Sequence, residues 1–228
     1  MRPLSEQEKY LKSKVSHTPR VVHEIEQQLL NDNKWGINVS PAEGAFLRFL
    51  VEAMSCKSVM EIGTQYGYST HWMLDANVDG LEIVTLEKEV QHFEIANKFF
   101  AKVMGDGKAD SGHFAYENEG KKLSSYCGDA NELLAQHKDP FDMVFIDANK
   151  GGYLTYLDWC LDNLNSGGWV IADNTFLFGS VWLDEPGDLA PKNPWKKMKE
   201  FNERLSNSKA FRSFMLPTPE GLSIAQKI

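Results

Sequence analysis

The 228-residue chain sets 24 Lys and Arg against 32 Asp and Glu, a formal net charge of -8, with 42% hydrophobic residues. This is ordinary globular composition, long enough for a substantial core, and its acidic balance argues against nucleic acid and anionic membrane as partners of the surface as a whole. Three cysteines, Cys56, Cys127 and Cys160, form no CxxC pair, and no stretch has the apolar length of a signal peptide or a membrane span. Disulfide frameworks and zinc sites are disfavoured, and the chain reads as reduced, cytoplasmic and soluble.

In chain order, residues 1–36 form a helical appendage: 5–35 are expected to be helical, with Thr18-Pro19 as N-cap and first-turn pair and Val22, Ile25 and Leu29 at i, i+3 and i+7. Ser40-Pro41-Ala42-Glu43 is a capping-box pattern that opens a helix through Phe46, Leu47, Leu50 and Val51. SVMEIGTQYGYST follows: a strand from Ser58 to Ile62, a Gly-punctuated turn and a helix from about Tyr68. Such a turn makes a cradle of backbone N–H groups facing a ligand. Its spacing, Gly63-x-x-x-Gly67, puts Gln65 where a dinucleotide fingerprint needs its second glycine, which counts against NAD. EIVTLE is a second strand ending in Glu87, either a cap for the next helix or, with the Gly turn, an acceptor for ribose hydroxyls. A helix spans about Glu89 to Val103, and 105–121 reads as a polar loop, either a substrate-side lid or an idle insertion. LSSYCGDA is a third strand turning at Gly128-Asp129, and NELLAQH is a short helix.

From Phe141 to Asn174 the pattern is strand, helix, strand: FDMVFIDANK ends on Asp147 with Lys150 three residues on, the helical GGYLTYLDWCLDNLNSGG intervenes, and WVIADN closes on Asp173-Asn174. Parallel, adjacent strands would gather these four polar side chains at one edge of the sheet. Either aspartate alone could be a helix cap. Lys150 sits where a helix begins, the wrong end of the dipole for a cation, so a purely structural role explains it poorly. Two carboxylates and an amide oxygen form an all-oxygen set suited to Mg²⁺, Ca²⁺ or Mn²⁺ rather than zinc or copper. The aromatic, Pro/Gly-rich loop 175–193 follows; Phe176, Phe178, Trp182 and Trp195 either pack or line a slot for a planar substrate. A helix from Pro194 and a hairpin, AFRSFMLP and LSIAQKI around PTPEG, close the chain. The alternation argues for one α/β domain, 1–228, with a parallel sheet and an antiparallel strand at its end.

EIGTQYGYS, FIDANK followed by a Tyr, VIADN, and an FN-x-x-L helix leading to an LP-x-x-x-GL hairpin together resemble the cation-dependent O-methyltransferases, class I S-adenosylmethionine enzymes that include caffeoyl-coenzyme A and catechol O-methyltransferases. The likeness runs from about Ile37 to the C-terminus, leaving out 105–121. It implies a Rossmann-like, seven-stranded, mostly parallel sheet with helices on both faces and an antiparallel C-terminal hairpin strand. It implies that Gly63 contacts the methionine part of the cofactor with Glu61 and Ser69 near its amino and carboxylate groups, that Glu87 holds the ribose, that Asp129 and Ala130 border the adenine, and that Val39 gives a backbone contact. Asp147, Asp173 and Asn174 match the ligands of a divalent cation, Mg²⁺ before Mn²⁺ or Ca²⁺; Asp147 also borders the cofactor, and Lys150 stands with it as a catalytic group beside the acceptor oxygen. The implied reaction methylates a hydroxyl of a vicinal dihydroxy aromatic of catechol, caffeoyl or flavonoid type, in a homodimer. The chain departs from the pattern at Asn149, where many relatives have a second Asp, and at PTPEG, where DG is more usual. A phenol of pKa near 10 must shift by about three units, ~4 kcal/mol, to ionise at neutral pH, and metal ions in favourable sites lower the pKa of a bound water by more than that. The alternatives are a nicotinamide-dependent oxidoreductase on a Rossmann-type sheet and a cofactor-binding homologue without turnover.

Overall fold

The computed structural model describes residues 5–207 and 209–228. They fall into two compact units: the first runs to Lys57 and includes Thr64–Gly128, and the second comprises Ser58–Gly63 and Asp129–Ile228.

The first unit opens with α1 (Glu6–Lys14) and α2 (Arg20–Asn31). The expected continuous segment is therefore two helices. Pro19, not Thr18, occupies the N-cap of α2, with no side-chain cap bond; a residue before proline is pushed out of the helical region, so the break falls at 15–19. Val21, Val22, Ile25 and Leu29 are buried as the 3.6-residue period requires. Glu26 on the same buried face is matched by Lys12 Nζ at 2.8 Å and by the Tyr68 hydroxyl, which donates to it at 3.1 Å. A buried carboxylate needs such partners. α3 (Pro41–Ala53) starts at the predicted capping box, in which Ser40 Oγ accepts from Glu43 N and the Glu43 carboxylate accepts from Ser40 N. α4 (Tyr68–Leu74), β2 (Glu82–Glu87) and α5 (Val90–Met104) follow as expected.

Residues 105–121 are not a loop. They hold β3 (Lys108–Asp110) and β4 (His113–Asn118), which lead into β5 (Lys121–Cys127). The order within the unit is β3-β4-β5-β2, antiparallel except for the parallel pair β2–β5. Asn118 pairs with Lys121 across a two-residue turn in which Glu119 and Gly120 have φ of 49° and 76°. Positive φ at both central positions is what a tight hairpin requires to match strand twist. The hairpin is anchored by Tyr116, whose hydroxyl donates to Asn97 Oδ1 of α5 at 2.9 Å.

The second unit orders its strands β1 (Ser58–Ile62), β6 (Phe141–Ile146), β7 (Leu164–Ala172), β9 (Leu222–Lys227) and β8 (Phe211–Leu216). The first three are parallel and the closing hairpin is antiparallel. The described strands number nine rather than seven, the hairpin β3–β4 making the difference. α6 (Ala130–Leu134), α7 (Tyr153–Asn163) and α8 (Lys192–Asn207) complete the unit. α7 stops earlier than the sequence suggested, and Leu164–Gly168 already belong to β7, where the register with β6 shifts between Phe141 and Met143. Gly167, at φ +80°, accommodates that irregularity. Val144, Phe145, Ile146, Val170, Ile171 and Ala172 are all fully buried, the continuous apolar run of parallel strands covered on both faces. The three cysteines are free thiols. Among the described residues no helix is long and apolar enough to cross a membrane.

Candidate active site

The parallel register of the second unit aligns the ends of three strands. Ile62 pairs with Ile146, and Ile146 with Ala172; Asp147 N then donates to Ile62 O at 3.0 Å and Asp173 N to Ile146 O at 2.9 Å. Gly63, Asp147 and Asp173 therefore form a lateral row at the usual interstrand spacing of about 4.8 Å. Gly63 has φ +104°, and a β-carbon there would lie 2.0 Å from the Asp147 carbonyl oxygen, so this position admits only glycine. Asn174 adopts a left-handed conformation, φ 56°, which asparagine tolerates, and its N–H donates to Asp173 Oδ1 at 2.7 Å. The register thus puts Asp147, Asp173 and Asn174 at one edge of the sheet in this unit.

Lys150 opens a 3₁₀ turn, Lys150–Gly152, that leads into α7. Asn149 caps it, its Oδ1 accepting from Gly151 N at 2.9 Å. The turn brings Lys150 Nζ to the Tyr153 hydroxyl, to which it donates at 2.6 Å, and leaves it 3.5 Å from Asp147 Oδ1. Tyr153 is fully buried. Its hydroxyl donates to the Asp173 carbonyl at 2.8 Å, with Ile146 O at 3.3 Å, and its ring meets Phe201 of α8 edge-on with centroids 5.3 Å apart. Burial first, and then the charges of Asp147 and Asp173, hold the phenol well above its ordinary pKa, so it keeps its proton. In sequence this hydrogen-bonded chain is signalled only by a tyrosine three residues after the lysine.

Beyond Asn174 the chain is fastened at Thr175, whose N–H donates to Gly221 O at 3.0 Å and whose hydroxyl accepts from Ser223 Oγ at 2.9 Å. Of the four aromatics considered for a substrate slot, Trp195 is core, its Nε1 donating to Ser180 O at 2.9 Å. Phe176 packs edge-on against Trp182, centroids 5.4 Å apart. Phe178 and Trp182 are 62% and 64% exposed and are the two that face outward.

In the first unit the Gly turn closes on the end of β2. Gln65 (φ 49°) donates its N–H to Glu87 Oε2 at 2.6 Å, and Glu89 N donates to Oε1 at 2.8 Å. Burial raises the Glu87 pKa, with the Glu89 and Gln65 amides and the charge of His92 opposing. Val39 is buried just ahead of the Ser40 cap, and Ser69 is buried in the first turn of α4. In the second unit Glu61 is fully buried on β1. Asp129 is the N-cap of α6, its Oδ1 accepting from Asn131 N at 3.0 Å, and Ala130 is that helix's first residue.

A family model described as O-methyltransferase matches residues 12–228. The chain belongs to the O-methyltransferase family. The catechol O-methyltransferase of Niastella koreensis is 34% identical over 149 residues, 65% of this chain and 62% of that protein. The caffeoyl-CoA O-methyltransferase of Petroselinum crispum is 27% identical over 217 residues, 92% and 85% of the two chains. The solved structure of an O-methyltransferase from Bacillus cereus, in complex with SAH, superposes with a TM-score of 0.83 at 24% identity, covering 98% of both chains. The Rossmann-like α/β fold is therefore common to the two. In this O-methyltransferase the donor set Asp147, Asp173 and Asn174 offers only oxygen, which fits a hard divalent cation. No group of three His, Cys, Asp or Glu suited to a metal occurs among the described residues.

Proposed function

We propose that this O-methyltransferase moves the methyl group of S-adenosylmethionine to one hydroxyl of a vicinal dihydroxy aromatic, at a divalent cation held by Asp147, Asp173 and Asn174. The single observation that carries the reading is the row of Gly63, Asp147 and Asp173 on adjacent strand ends, with Lys150 alongside. The names of the relatives, catechol and caffeoyl-CoA O-methyltransferases, support the acceptor class, and the SAH-bound Bacillus cereus structure supports the donor.

Bound together, the two groups supply an electrophilic methyl on a sulfonium and a positive charge that favours the ionised phenol. The protein's own residues do the rest. Asp147 and Asp173 set the charge that attracts a cation, and Asn174 adds a neutral oxygen. Lys150, whose short bond goes to a neutral phenol, brings a positive neighbour to the acceptor oxygen and steadies its anionic form. Glu61 and Gly63 are assigned to the methionine end of the donor, with no side chain at Gly63 to block close approach. Glu87 is assigned to the ribose hydroxyls. Its carboxylate already accepts from the Gln65 and Glu89 amides, with the Lys88 amide also contributing, and keeps acceptor capacity for ribose hydroxyls.

The deciding experiment is transfer of labelled methyl from S-adenosylmethionine to a panel of catechols, caffeoyl esters and flavonoids, with Mg²⁺, with Mn²⁺ and with chelator. Activity lost in chelator and restored by either metal is the expected result. Full activity in chelator eliminates the cation's role, and SAH binding without transfer to any acceptor makes the chain a binding protein.

A further inference from the structure

We propose that Tyr153 is a positioning residue that holds the Lys150 ammonium off the Asp147 carboxylate and so keeps that carboxylate available to a divalent cation. The inference rests on the cation site proposed above. A lysine and an aspartate three residues apart, both mostly shielded, ordinarily close to a charge-assisted contact of about 2.7–2.9 Å. Here the separation is 3.5 Å, and the short contact, 2.6 Å, goes to the uncharged Tyr153 hydroxyl instead.

The hydroxyl is able to hold the cation because everything else about it is fixed. Its one proton is committed to the Asp173 carbonyl at 2.8 Å, so its lone pairs are left to accept from Lys150. Its ring is fully buried against Phe201 and cannot follow the lysine elsewhere. An ammonium seated on Asp147 would have to be displaced before a divalent cation could use that carboxylate. One whose short bond goes to Tyr153 keeps its positive charge in the site, 3.5 Å from Asp147, with a looser hold on that carboxylate.

The test measures Mn²⁺ binding, by water-proton relaxation, to the full chain as wild type, Y153F, K150M and Y153F/K150M, with SAH affinity of each variant measured by calorimetry as the check that its fold stands. Tyr153→Phe keeps the ring and removes only the hydroxyl. It is expected to weaken Mn²⁺ about tenfold, the scale of one charge-assisted contact. Lys150→Met alone is expected to change Mn²⁺ affinity by less than about threefold, because the ammonium is already held off, and the double variant to match K150M. Three results would overturn the proposal: Y153F binding Mn²⁺ like wild type, K150M binding it about tenfold tighter, or a double variant as weak as Y153F, which would make Tyr153 a brace for the strand ends and nothing more. Wild type that binds SAH but no Mn²⁺ overturns the cation site itself, a different and distinguishable failure.

Discussion

At the end of β2, Glu87 is enclosed by backbone amides, its two oxygens accepting from Gln65 N and Glu89 N. At the ends of β6 and β7, Asp147 has an ammonium 3.5 Å from its carboxylate, and Asp173 accepts from a backbone amide, the Asn174 N–H, at 2.7 Å. In sequence both regions look alike, an apolar run closing on an acid. Fixed amide dipoles around Glu87 satisfy part of a carboxylate without cancelling its charge, which suits neutral hydroxyl donors that add to the set. Two carboxylates against one lysine leave a local charge of about -1, which suits a divalent cation. The chemistry of a strand-end acid is set by what the neighbouring turn supplies.

The sharpest way to break this comparison is at the cation side. Asp173→Asn keeps shape and removes one charge. Methyl transfer should fall by about three orders of magnitude, as expected when a metal's charge stabilisation of several kcal/mol is lost. SAH affinity, measured by calorimetry, should stay within about threefold of wild type. A parallel collapse of SAH binding would show that the two acids do not divide the work.

The reciprocal substitution, Glu87→Gln, should weaken SAH by about 10- to 30-fold, the ~2 kcal/mol of a charge-assisted hydrogen bond, and leave Mn²⁺ affinity unchanged. The pH dependence follows from burial. Because the Glu87 pKa is raised, the carboxylate takes up its proton at a higher pH than an ordinary glutamate, and only the ionised form accepts from both ribose hydroxyls. Wild-type SAH affinity should therefore decline as pH falls through that raised value, whereas E87Q should be flat across the same window. A wild-type profile as flat as that of E87Q would remove Glu87 from the ribose.

What could be read from the sequence and what could not divide along the range of the interactions. The Ser40–Glu43 box, the Gly turn and the acids at strand ends were legible because each is decided within a few residues. β3 and β4 were missed because Lys108–Asp110 are all exposed and β4 buries only Tyr116, so no apolar alternation announces them; their signal was the positive-φ turn at Glu119-Gly120 and a contact to Asn97 of α5. The break between α1 and α2 needed Pro19 read as a cap rather than as a first-turn residue. Tyr153 carried no role in the sequence because its partners besides Lys150 are backbone carbonyls, one of them 20 residues away just past the end of β7.

The smallest effect concerns Asn149, the departure from the usual second acid. Its side chain caps the Lys150–Gly152 turn through Gly151 N, so an acceptor at this position, charged or not, aims Lys150 at Tyr153. Asn149→Ala should cost about 1 kcal/mol, as the loss of a cap does, and lower the melting temperature by roughly 2–4 °C. Asn149→Asp retains the acceptor and should melt within a degree or so of wild type. It also adds a negative charge beside Lys150, so a second observable separates the roles: if capping is the whole function, N149D should match wild type in Mn²⁺ affinity as well. A marked tightening of Mn²⁺ by N149D would mean that position 149 tunes the charge of the site, and that the contrast between the two strand ends depends on this asparagine as well as on Tyr153.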